Sequence, residues 1–346
     1  MIMNLFAPKK QSFIALKENI CLRASVSKTT VNKVPQIIIS NLEEFPNTPF
    51  KTKGFFDPTI LKALKGEKNA ICTLYPNTRF VYRLKTDKMI KTHGFASIPR
   101  ILKDRFNIDA NTNRIAVLDA VTGLEIGQND PLPDEICFFG AEEKELTAIQ
   151  NELKDANCNF RKIWLTTLVN TSGILNYCKL KSITSPIVCV DFSSHRSLVY
   201  VINNQHIEAA YPPIYGLDNL ITLTRKECNF PDDTTAFKYL LQEISTDEKT
   251  QQAVLQRMTT DIKSYIDFFE VQTSCPIEYF FIYGLNSELN WVSPLLAQKT
   301  GLKVLEIDYE NWLKSNNIFL KNNKDIQKFS NNQWFGMLSA FLINYK

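Results

Sequence analysis

The chain has 346 residues, enough for two domains that each bury a hydrophobic core, and its composition, 44% hydrophobic and 22% charged, is typical of a globular protein. Its formal net charge of +4 is small for that length, which excludes the strongly basic composition of many nucleic-acid-binding proteins. It has no uninterrupted apolar run of about 18 residues and no signal-peptide pattern, so we expect a cytoplasmic protein without a membrane-spanning helix.

The eight cysteines are never closer than 11 residues apart, which excludes the CxxC spacing of zinc and redox motifs. Most of them lie in apolar stretches, and we predict reduced cysteines in the core. The three histidines, His93, His195 and His206, are too scattered in the sequence to predict a metal site. Neither Ser172 nor Ser193 lies in a G-x-S-x-G motif, so the sequence predicts no catalytic nucleophile.

The first part of the chain shows strand patterns and a short helix. Residues 12–39 contain three apolar runs that are separated by turn residues, which predicts three strands. Asp57, followed by proline, predicts the start of a helix that ends at Gly66. Two further strands are predicted at 70–76 and 79–85.

Residues 89–130 differ in pattern from the regular units around them: they contain a predicted helix, a strand and a long loop, and we interpret them as an insert. The regular pattern resumes with a predicted strand at 135–141 and a helix at 142–156, whose apolar residues follow helical spacing. After one more strand and helix, the same succession starts again at Pro186. We therefore predict two related α/β halves with a boundary near residues 181–185.

The second half begins with a buried apolar strand, Ile187–Val190, that ends at Asp191. Ser193 and Ser194 supply a turn, and residues 198–202 are predicted to return as the next strand. The later elements are predicted helices at 216–228, 232–244, 247–271, 287–300 and 331–344, and predicted strands at 277–284 and 302–308.

Four segments carry a broader likeness: DEICFFGAEEKELTAIQNELKDANCNFRKIW, VDFSSHRSLVYVI, YGLDNLI and EYFFIYGLNSELNWVSPLLAQKTGLKVLEID. In order and spacing they resemble the pilus-assembly protein PilM and the cell-division protein FtsA, which are bacterial members of the actin-like ATPase superfamily. The resemblance implies an α/β, actin-like (ribonuclease H-like) fold of two related halves with mixed sheets. The implied domains are 1–180, with an inserted subdomain at about 89–130, then 181–330, and a C-terminal helix at 331–346 that packs back on the first half.

The resemblance also implies a nucleotide site between the halves, built from two glycine-bearing hairpins and from carboxylates that hold Mg²⁺ through water. In the first hairpin the family's DxG would fall near residues 16–18 if Arg23 takes the place of its basic residue. No Asp or Gly occurs between Ser12 and Val26, so the magnesium carboxylate is missing. If Glu18 occupies the glycine position, its negative charge would repel phosphate by roughly several kcal/mol.

The second hairpin departs less from the family pattern. Asp191 is kept and Ser197 matches the family's threonine, but Ser193 replaces glycine, and the adenosine loop keeps only Gly284. The resemblance implies a degenerate nucleotide site with the candidate residues Asp191, Ser193, Ser197, Gly216, Gly284 and Ser287. The other interpretation is that these residues cap strands and start helices because the fold requires turns there. We expect no catalytic residue, no metal and no cofactor, with ATP and Mg²⁺ as the alternative.

Residues 79–105, here called the basic band, contain eight Lys and Arg residues against two Asp residues. This excess predicts a surface for anionic lipid or an acidic partner, or a merely solvated edge. The resemblance to PilM implies a groove between residues 89–130 and the strands around 70–85 that captures the short cytoplasmic tail of a membrane protein. The candidate partner-binding residues, with the arginines expected to be exposed, are Leu74, Arg79, Phe80, Tyr82, Arg83, Lys91 and Phe95.

The resulting hypothesis is a cytoplasmic scaffold, peripheral to the inner membrane, of a type IV pilus or a related secretion machine. Its partner would be a PilN-like inner-membrane protein, it would bind no nucleic acid, and it would be a pseudo-ATPase. The alternatives are the cytoplasmic part of a type II secretion L-type protein, a filament-forming actin, and an active actin-like ATPase or sugar-kinase-type phosphotransferase that uses Asp191.

Overall fold

A computed structural model of the chain describes residues 10–17, 20–46, 54–242, 244, 247–329 and 332–345. The chain forms two compact units, of which the first comprises Met1–Tyr75, Ala148–Gly173 and Ile307–Lys346 and the second comprises Pro76–Thr147 and Ile174–Glu306. Each unit is assembled from segments that are distant in sequence. The domain boundaries predicted at 180 and 330 rest on the repeat of the strand and helix pattern, whereas these two units are defined by compactness. The predicted boundaries therefore stay a prediction.

The strands of the described residues are β1 (Lys10–Leu16), β2 (Ile20–Val31), β3 (Val34–Pro46), β4 (Lys68–Leu74), β5 (Phe80–Lys85), β6 (Asn113–Asp119), β7 (Glu135–Glu142), β8 (Asn159–Leu165), β9 (Ile187–Asp191), β10 (Arg196–Asn203), β11 (His206–Tyr215), β12 (Tyr279–Tyr283), β13 (Lys303–Val304) and β14 (Ile318–Leu320). The α-helices are α1 (Pro58–Leu64), α2 (Lys88–His93), α3 (Ile98–Phe106), α4 (Glu143–Asp155), α5 (Thr166–Lys181), α6 (Leu217–Glu227), α7 (Asp233–Gln242), α8 (Glu248–Thr273), α9 (Val292–Thr300), α10 (Tyr309–Ser315) and α11 (Phe335–Tyr345). The three early strands and the long helix near 247–271 are thereby confirmed.

The first unit contains a six-stranded sheet in the order β14-β3-β2-β1-β4-β8. Strands β1, β2 and β3 form an antiparallel meander, whereas β4 is parallel to β1 and β8 is parallel to β4. Helix α11 packs on this sheet, where the ring of Phe341 meets the ring of Phe13 edge to face with centroids 4.6 Å apart. Residues Phe335–Leu342 of α11 are buried, as expected for a helix that is apolar on all sides.

The second unit contains a five-stranded sheet in the order β11-β10-β9-β12-β13. Strand β9 lies at its centre, antiparallel to β10 and parallel to β12, and all of its residues are buried, as the apolar run predicts. Val188 and Val190 join the core that α6, α7, α8 and α9 form on one face of the sheet. Because side chains alternate along a strand, Asp191 faces the opposite side of the sheet from these valines.

A three-stranded antiparallel sheet, in the order β5-β7-β6, also belongs to the second unit, and α2 and α3 pack on it through Ile90, Ile101 and Leu102. The strand predicted at 135–141 and the helix predicted at 142–156 are confirmed as β7 and α4, but β7 does not join the six-stranded sheet of the first unit. Strand β7 is the centre of the small sheet and pairs with β5 and β6 on its two sides. Its apolar run fits any strand that is buried on both faces, so the pattern alone does not identify the sheet. Strands β5 and β7 both lie outside residues 89–130.

Two elements near the end of the second unit are shorter than predicted. The helix predicted at 287–300 is a 3-10 turn at Ser287–Leu289 followed by α9. Pro294 explains this start, because proline lacks an N–H group and is tolerated only in the first turn of a helix. The strand predicted at 302–308 is reduced to β13.

All eight cysteines are free and six of them are buried, which confirms that most of them lie in the core. Among the helices of the described residues, none combines the length and the apolar character that a membrane crossing requires.

Candidate functional site

The side chain of Asp191 is fully buried where β9 ends, and it faces Arg79, the residue immediately before β5. Arg79 Nε lies 3.6 Å from Asp191 Oδ2, and the two side chains are 1% and 0% exposed. The guanidinium also donates hydrogen bonds from Nη2 to the backbone oxygen of Asp191 and from Nη1 to that of Pro76, both at 3.3 Å. The carboxylate that the nucleotide family would use to organise Mg²⁺ therefore has an arginine of the same chain beside it.

This position of Arg79 corrects the interpretation of the basic band. The sequence predicts an exposed Arg79 that meets a partner or lipid, and this is wrong, because the residue is 3% exposed. The opposite charge of Asp191 and the two backbone carbonyls offset the loss of hydration that would otherwise keep a guanidinium at the surface. The two residues are 112 positions apart in the chain, so no local pattern reveals the pair.

The turn between β9 and β10 is closed by its own hydrogen bonds. The backbone N–H of Ser193 donates to Ser197 Oγ at 3.4 Å, and Ser193 Oγ donates to the backbone oxygen of Arg196 at 2.8 Å. His195 at the tip contacts the carboxylate of Asp218. The two candidate serines thus bond within the hairpin.

The start of α6 is covered by the same hairpin. The backbone N–H groups of Leu217 and Asp218 donate to the carbonyl oxygens of Ser193 and Ser194, both at 2.9 Å, and the N–H of Gly216 donates to the carbonyl of His195 at 3.2 Å. Free N–H groups at a helix start are what binds phosphate, and here these three have carbonyl partners.

Gly216 and Gly284 are explained by close backbone approach. A Cβ on Gly216 would lie 2.1 Å from the carbonyl oxygen of Ser193, and a Cβ on Gly284 would lie 2.3 Å from that of Phe192. Gly284 also has a φ of +90°, which side chains disfavour. Ser287 lies in the 3-10 turn beyond, where its hydroxyl donates to the neighbouring Glu288 carboxylate at 3.0 Å. The packing of the fold is therefore sufficient reason for both glycines.

Two tyrosines that were not among the predicted site residues lie on the same face of the five-stranded sheet as Asp191, opposite the face that carries Val188 and Val190. Tyr283 of β12 is in register with Asp191 of β9, and its hydroxyl is hydrogen-bonded to that of Tyr200 in β10. Burial, and then the neighbouring Tyr200 and Asp191, raises the pKa of Tyr283 well above its usual value, so its hydroxyl stays protonated. The alternation of β10 and β12 is the signal that could have placed them on this face.

The first hairpin belongs to the first unit and is described up to Lys17, because Glu18 lies outside the described residues. The backbone N–H of Lys17 donates to the carbonyl of Ile20 at 3.0 Å, which links the end of β1 to the start of β2. The buried ammonium of Lys17 donates to the carbonyl of Gln333 at 3.0 Å and lies 5.7 Å from the ring centre of Tyr75. These bonds hold Lys17 within its own unit.

The residues of the second hairpin do not fit a magnesium nucleotide. The remaining carboxylate lies against a buried guanidinium, which would repel a hydrated Mg²⁺ at close range. The N–H groups of Gly216, Leu217 and Asp218 at the start of α6 are already bonded to carbonyls of the hairpin. Across the described ranges, no cluster of three His, Cys, Asp or Glu side chains could hold a metal ion.

The apolar residues proposed for partner binding are mostly part of cores. Leu74 is 1% exposed in the six-stranded sheet, and Phe80 is 8% exposed in the core of the three-stranded sheet. Phe95 is half-buried against that same core, and Tyr82 stacks on Phe106 with centroids 4.5 Å apart. The structure gives Leu74 to the first unit and the other three candidates to the second.

The charged candidates of the basic band have carboxylate partners. Arg83 Nη2 lies 2.7 Å from Glu135 and 3.5 Å from Glu208, and its side chain is only 19% exposed, so the prediction of an exposed Arg83 is wrong too. Lys91 contacts Asp134. Other members pair in the same way, Arg100 with Asp104 and Arg105 with Asp87. Much of the positive charge that the sequence shows as a run is therefore neutralised within the second unit.

No protein-family profile matches the chain, and no curated protein sequence matches it. Several solved structures are similar to it in fold. A chain of the PilM–PilN type IV pilus biogenesis complex is similar with a TM-score of 0.70 at 11% identity, covering 97% of this chain and 99% of that one. The ethanolamine utilization protein EutJ from Carboxydothermus hydrogenoformans has a TM-score of 0.49 at 12% identity, covering 98% of this chain and 91% of its own.

A protein of unknown function with an actin-like ATPase fold from Bacteroides thetaiotaomicron has a TM-score of 0.46 at 10% identity, covering 98% and 99% of the two chains. The similarity to the PilM–PilN chain extends over almost the whole length of both chains, and it shows the actin-like fold that the sequence predicts.

Proposed function

We propose that this chain is a PilM-like scaffold of a type IV pilus or a related secretion machine, and that it works without ATP turnover. The observation that carries the proposal is the buried pair of Arg79 and Asp191. Scaffolds and ATPases share this fold, so the fold alone does not separate them. A guanidinium against the one remaining magnesium carboxylate favours the scaffold.

The assembly context comes from the structural similarity. The similar chain belongs to a complex of PilM with PilN, and the similarity covers 97% of the chain described here. We propose by analogy that the partner here is a PilN-like inner-membrane protein whose short cytoplasmic tail binds the scaffold. The chain would then act in the cytoplasm at the inner face of that membrane.

The first experiment separates scaffold from enzyme. Isothermal titration with ATP and Mg²⁺, and with a non-hydrolysable analogue, is expected to show no saturable heat at millimolar nucleotide, and a coupled assay is expected to show no phosphate release above background. Turnover that disappears in Asp191→Ala would contradict the proposal. It would support the alternative, an active ATPase or sugar-kinase-type phosphotransferase that uses Asp191.

The second experiment addresses the partner. A tagged chain in its native cells is expected to co-sediment with inner membranes as long as a pilus-assembly protein with a short cytoplasmic tail is present. Removal of that tail is expected to release the chain, and deletion of the chain is expected to reduce surface pili. Membrane association that persists without the tail, together with normal piliation, would contradict the scaffold role.

A further inference from the structure

Strand β8 forms one edge of the six-stranded sheet. It pairs with β4, in parallel, and is the last strand in that direction. The register with β4 shifts around Phe160 and Arg161 and is regular from Lys162 to Leu165. In the regular part, β8 directs alternate backbone N–H and C=O groups away from its only neighbour, where another strand can pair with them. Within the residues that the structure covers, no second strand occupies this side of β8.

Three exposed cations lie along this edge: Arg161 and Lys162 within β8, and Lys154 at the end of α4. None of them has a carboxylate within ion-pairing distance among the described residues. The ammonium of Lys162 lies 5.4 Å from the ring centre of Trp164 on the same strand. This situation is the opposite of that in the basic band, where arginines such as Arg83 face carboxylates of the same unit.

A pocket of about 360 Å³ lies between α4 and β8 at the same edge. Leu153, Phe160 and Ile163 supply apolar lining, and the three cations line it as well. The side chains of an added strand would alternate between the two faces of the sheet. An apolar side chain can therefore enter the pocket while neighbouring acidic side chains meet the cations.

We propose that the β8 edge binds an acidic, extended segment of a partner protein as an added strand. Backbone hydrogen bonds to the open edge would supply part of the affinity, and the cations would select acidic segments. A second copy of this chain is disfavoured as the occupant, because its own β8 would bring the same cations opposite Arg161 and Lys162. The proposal goes beyond the scaffold function, since it depends only on this edge and its charges.

The test uses a fluorescein-labelled peptide of alternating Glu and Val residues, with a Lys and Val peptide of equal length as the opposite-charge control. Fluorescence anisotropy with the full chain is expected to show saturable binding of the acidic peptide alone. A central proline in that peptide removes a backbone donor and is expected to weaken binding at least about tenfold. Raising NaCl from about 50 to 300 mM is expected to weaken it several-fold.

The decisive variant is Arg161→Glu/Lys162→Glu, which is expected to abolish saturable binding. Lys88→Glu/Lys103→Glu makes the same charge change at two exposed positions of the basic band and is expected to leave binding unchanged. If the first variant does not fold, as judged by circular dichroism, Arg161→Gln/Lys162→Gln replaces it and is expected to weaken binding at least about tenfold.

Three results would overturn the proposal: no saturable binding by the wild-type chain, equal binding of the Lys and Val peptide, or equal weakening by both double variants. The cations would then only protect the edge against strand pairing. A dimer in sedimentation equilibrium that the β8 variant abolishes would assign the edge to a second copy instead. Each of these results leaves the membrane and pilus experiments unaffected, so the two proposals can fail separately.

Discussion

Glu145 holds the turn that leads into Arg79 by accepting two hydrogen bonds from Thr78, one from its backbone N–H at 2.9 Å and one from its hydroxyl at 2.6 Å. The other oxygen of the same carboxylate accepts the N–H of Asn77 at 2.7 Å. A carboxylate in the first turn of α4 thus fixes the backbone that carries the buried guanidinium. The backbone just before Arg79 is therefore held in place independently of the ion pair that Arg79 forms with Asp191.

Glu145→Gln is therefore expected to destabilise the fold by about 1–2 kcal/mol, because an amide cannot accept at both oxygens and its bonds are not charge-assisted. Urea unfolding followed by circular dichroism measures the change. Glu143→Gln is the matched control in the same helical turn, and it should cost clearly less, because its pair with Arg114 lies at the surface and is screened by solvent. Equal losses in the two variants would show that the turn does not depend on Glu145.

Arg79→Met is expected to destabilise the second unit by about 3–5 kcal/mol, because it leaves the carboxylate of Asp191 buried without its counter-charge. The double variant Arg79→Met/Asp191→Asn should recover much of that loss, since no buried charge remains. Arg100→Met, at a side chain that is 80% exposed, should change stability by less than about 1 kcal/mol. A double variant no more stable than Arg79→Met would argue against the pair as the cause.

Gly284→Ala and Gly301→Ala separate backbone strain from crowding. Both glycines have positive φ, +90° and +76°, so each alanine is expected to cost about 1–2 kcal/mol from backbone conformation. A Cβ at Gly301 meets open space, whereas one at Gly284 meets the carbonyl of Phe192. Gly284→Ala should therefore lose about 1–3 kcal/mol more in a thermal or urea denaturation experiment. Similar losses at the two positions would remove the packing explanation for Gly284.

The buried thiols predict a loss of stability at alkaline pH. Burial raises the pKa of Cys21, Cys137 and Cys178 to about 12 each, above the value of about 8.5 in an unfolded chain. The folded state keeps protons that the unfolded state loses, so this contribution is complete below about pH 8.5 and is lost as the pH rises toward 12. The thermal midpoint should fall over that range, and Cys178→Ala should reduce the slope.

Thiol accessibility checks the same burial by a different measurement. Iodoacetamide at pH 8 is expected to label Cys228 and Cys275 first, because they are the two cysteines that are only partly buried. Mass spectrometry after short exposure should show the other six unmodified until denaturant is added. Early labelling of Cys21 or Cys178 in the native protein would contradict their place in the core.

The sequence predicts those features that depend on local pattern. The apolar run before Asp191 identifies β9, because a strand that is buried on both faces is apolar at every position. The spacing of apolar residues identifies α8, because a helix that is buried on one face is apolar at every third or fourth position. The actin-like fold was predicted from the resemblance of four segments to PilM and FtsA, and this prediction is confirmed.

Features that depend on tertiary pairing left no such trace. The sequence shows that residues 79–105 carry an excess of positive charge, but it does not show that Arg79 contacts a carboxylate 112 residues later in the chain. In the same way, β7 reads as a strand without revealing its sheet, and β8 reads as a strand without revealing that it is an edge. The hydrogen bonds that cover the start of α6 could not be predicted either, because they join backbone groups and involve no particular side-chain type.

The close approach of Gly216 to the carbonyl of Ser193 affects what a glycine at this position can indicate. Any larger residue would push the hairpin off the start of α6, whether or not a nucleotide binds there. A glycine here is therefore a requirement of packing, and its presence in a chain of this fold is no evidence for nucleotide binding.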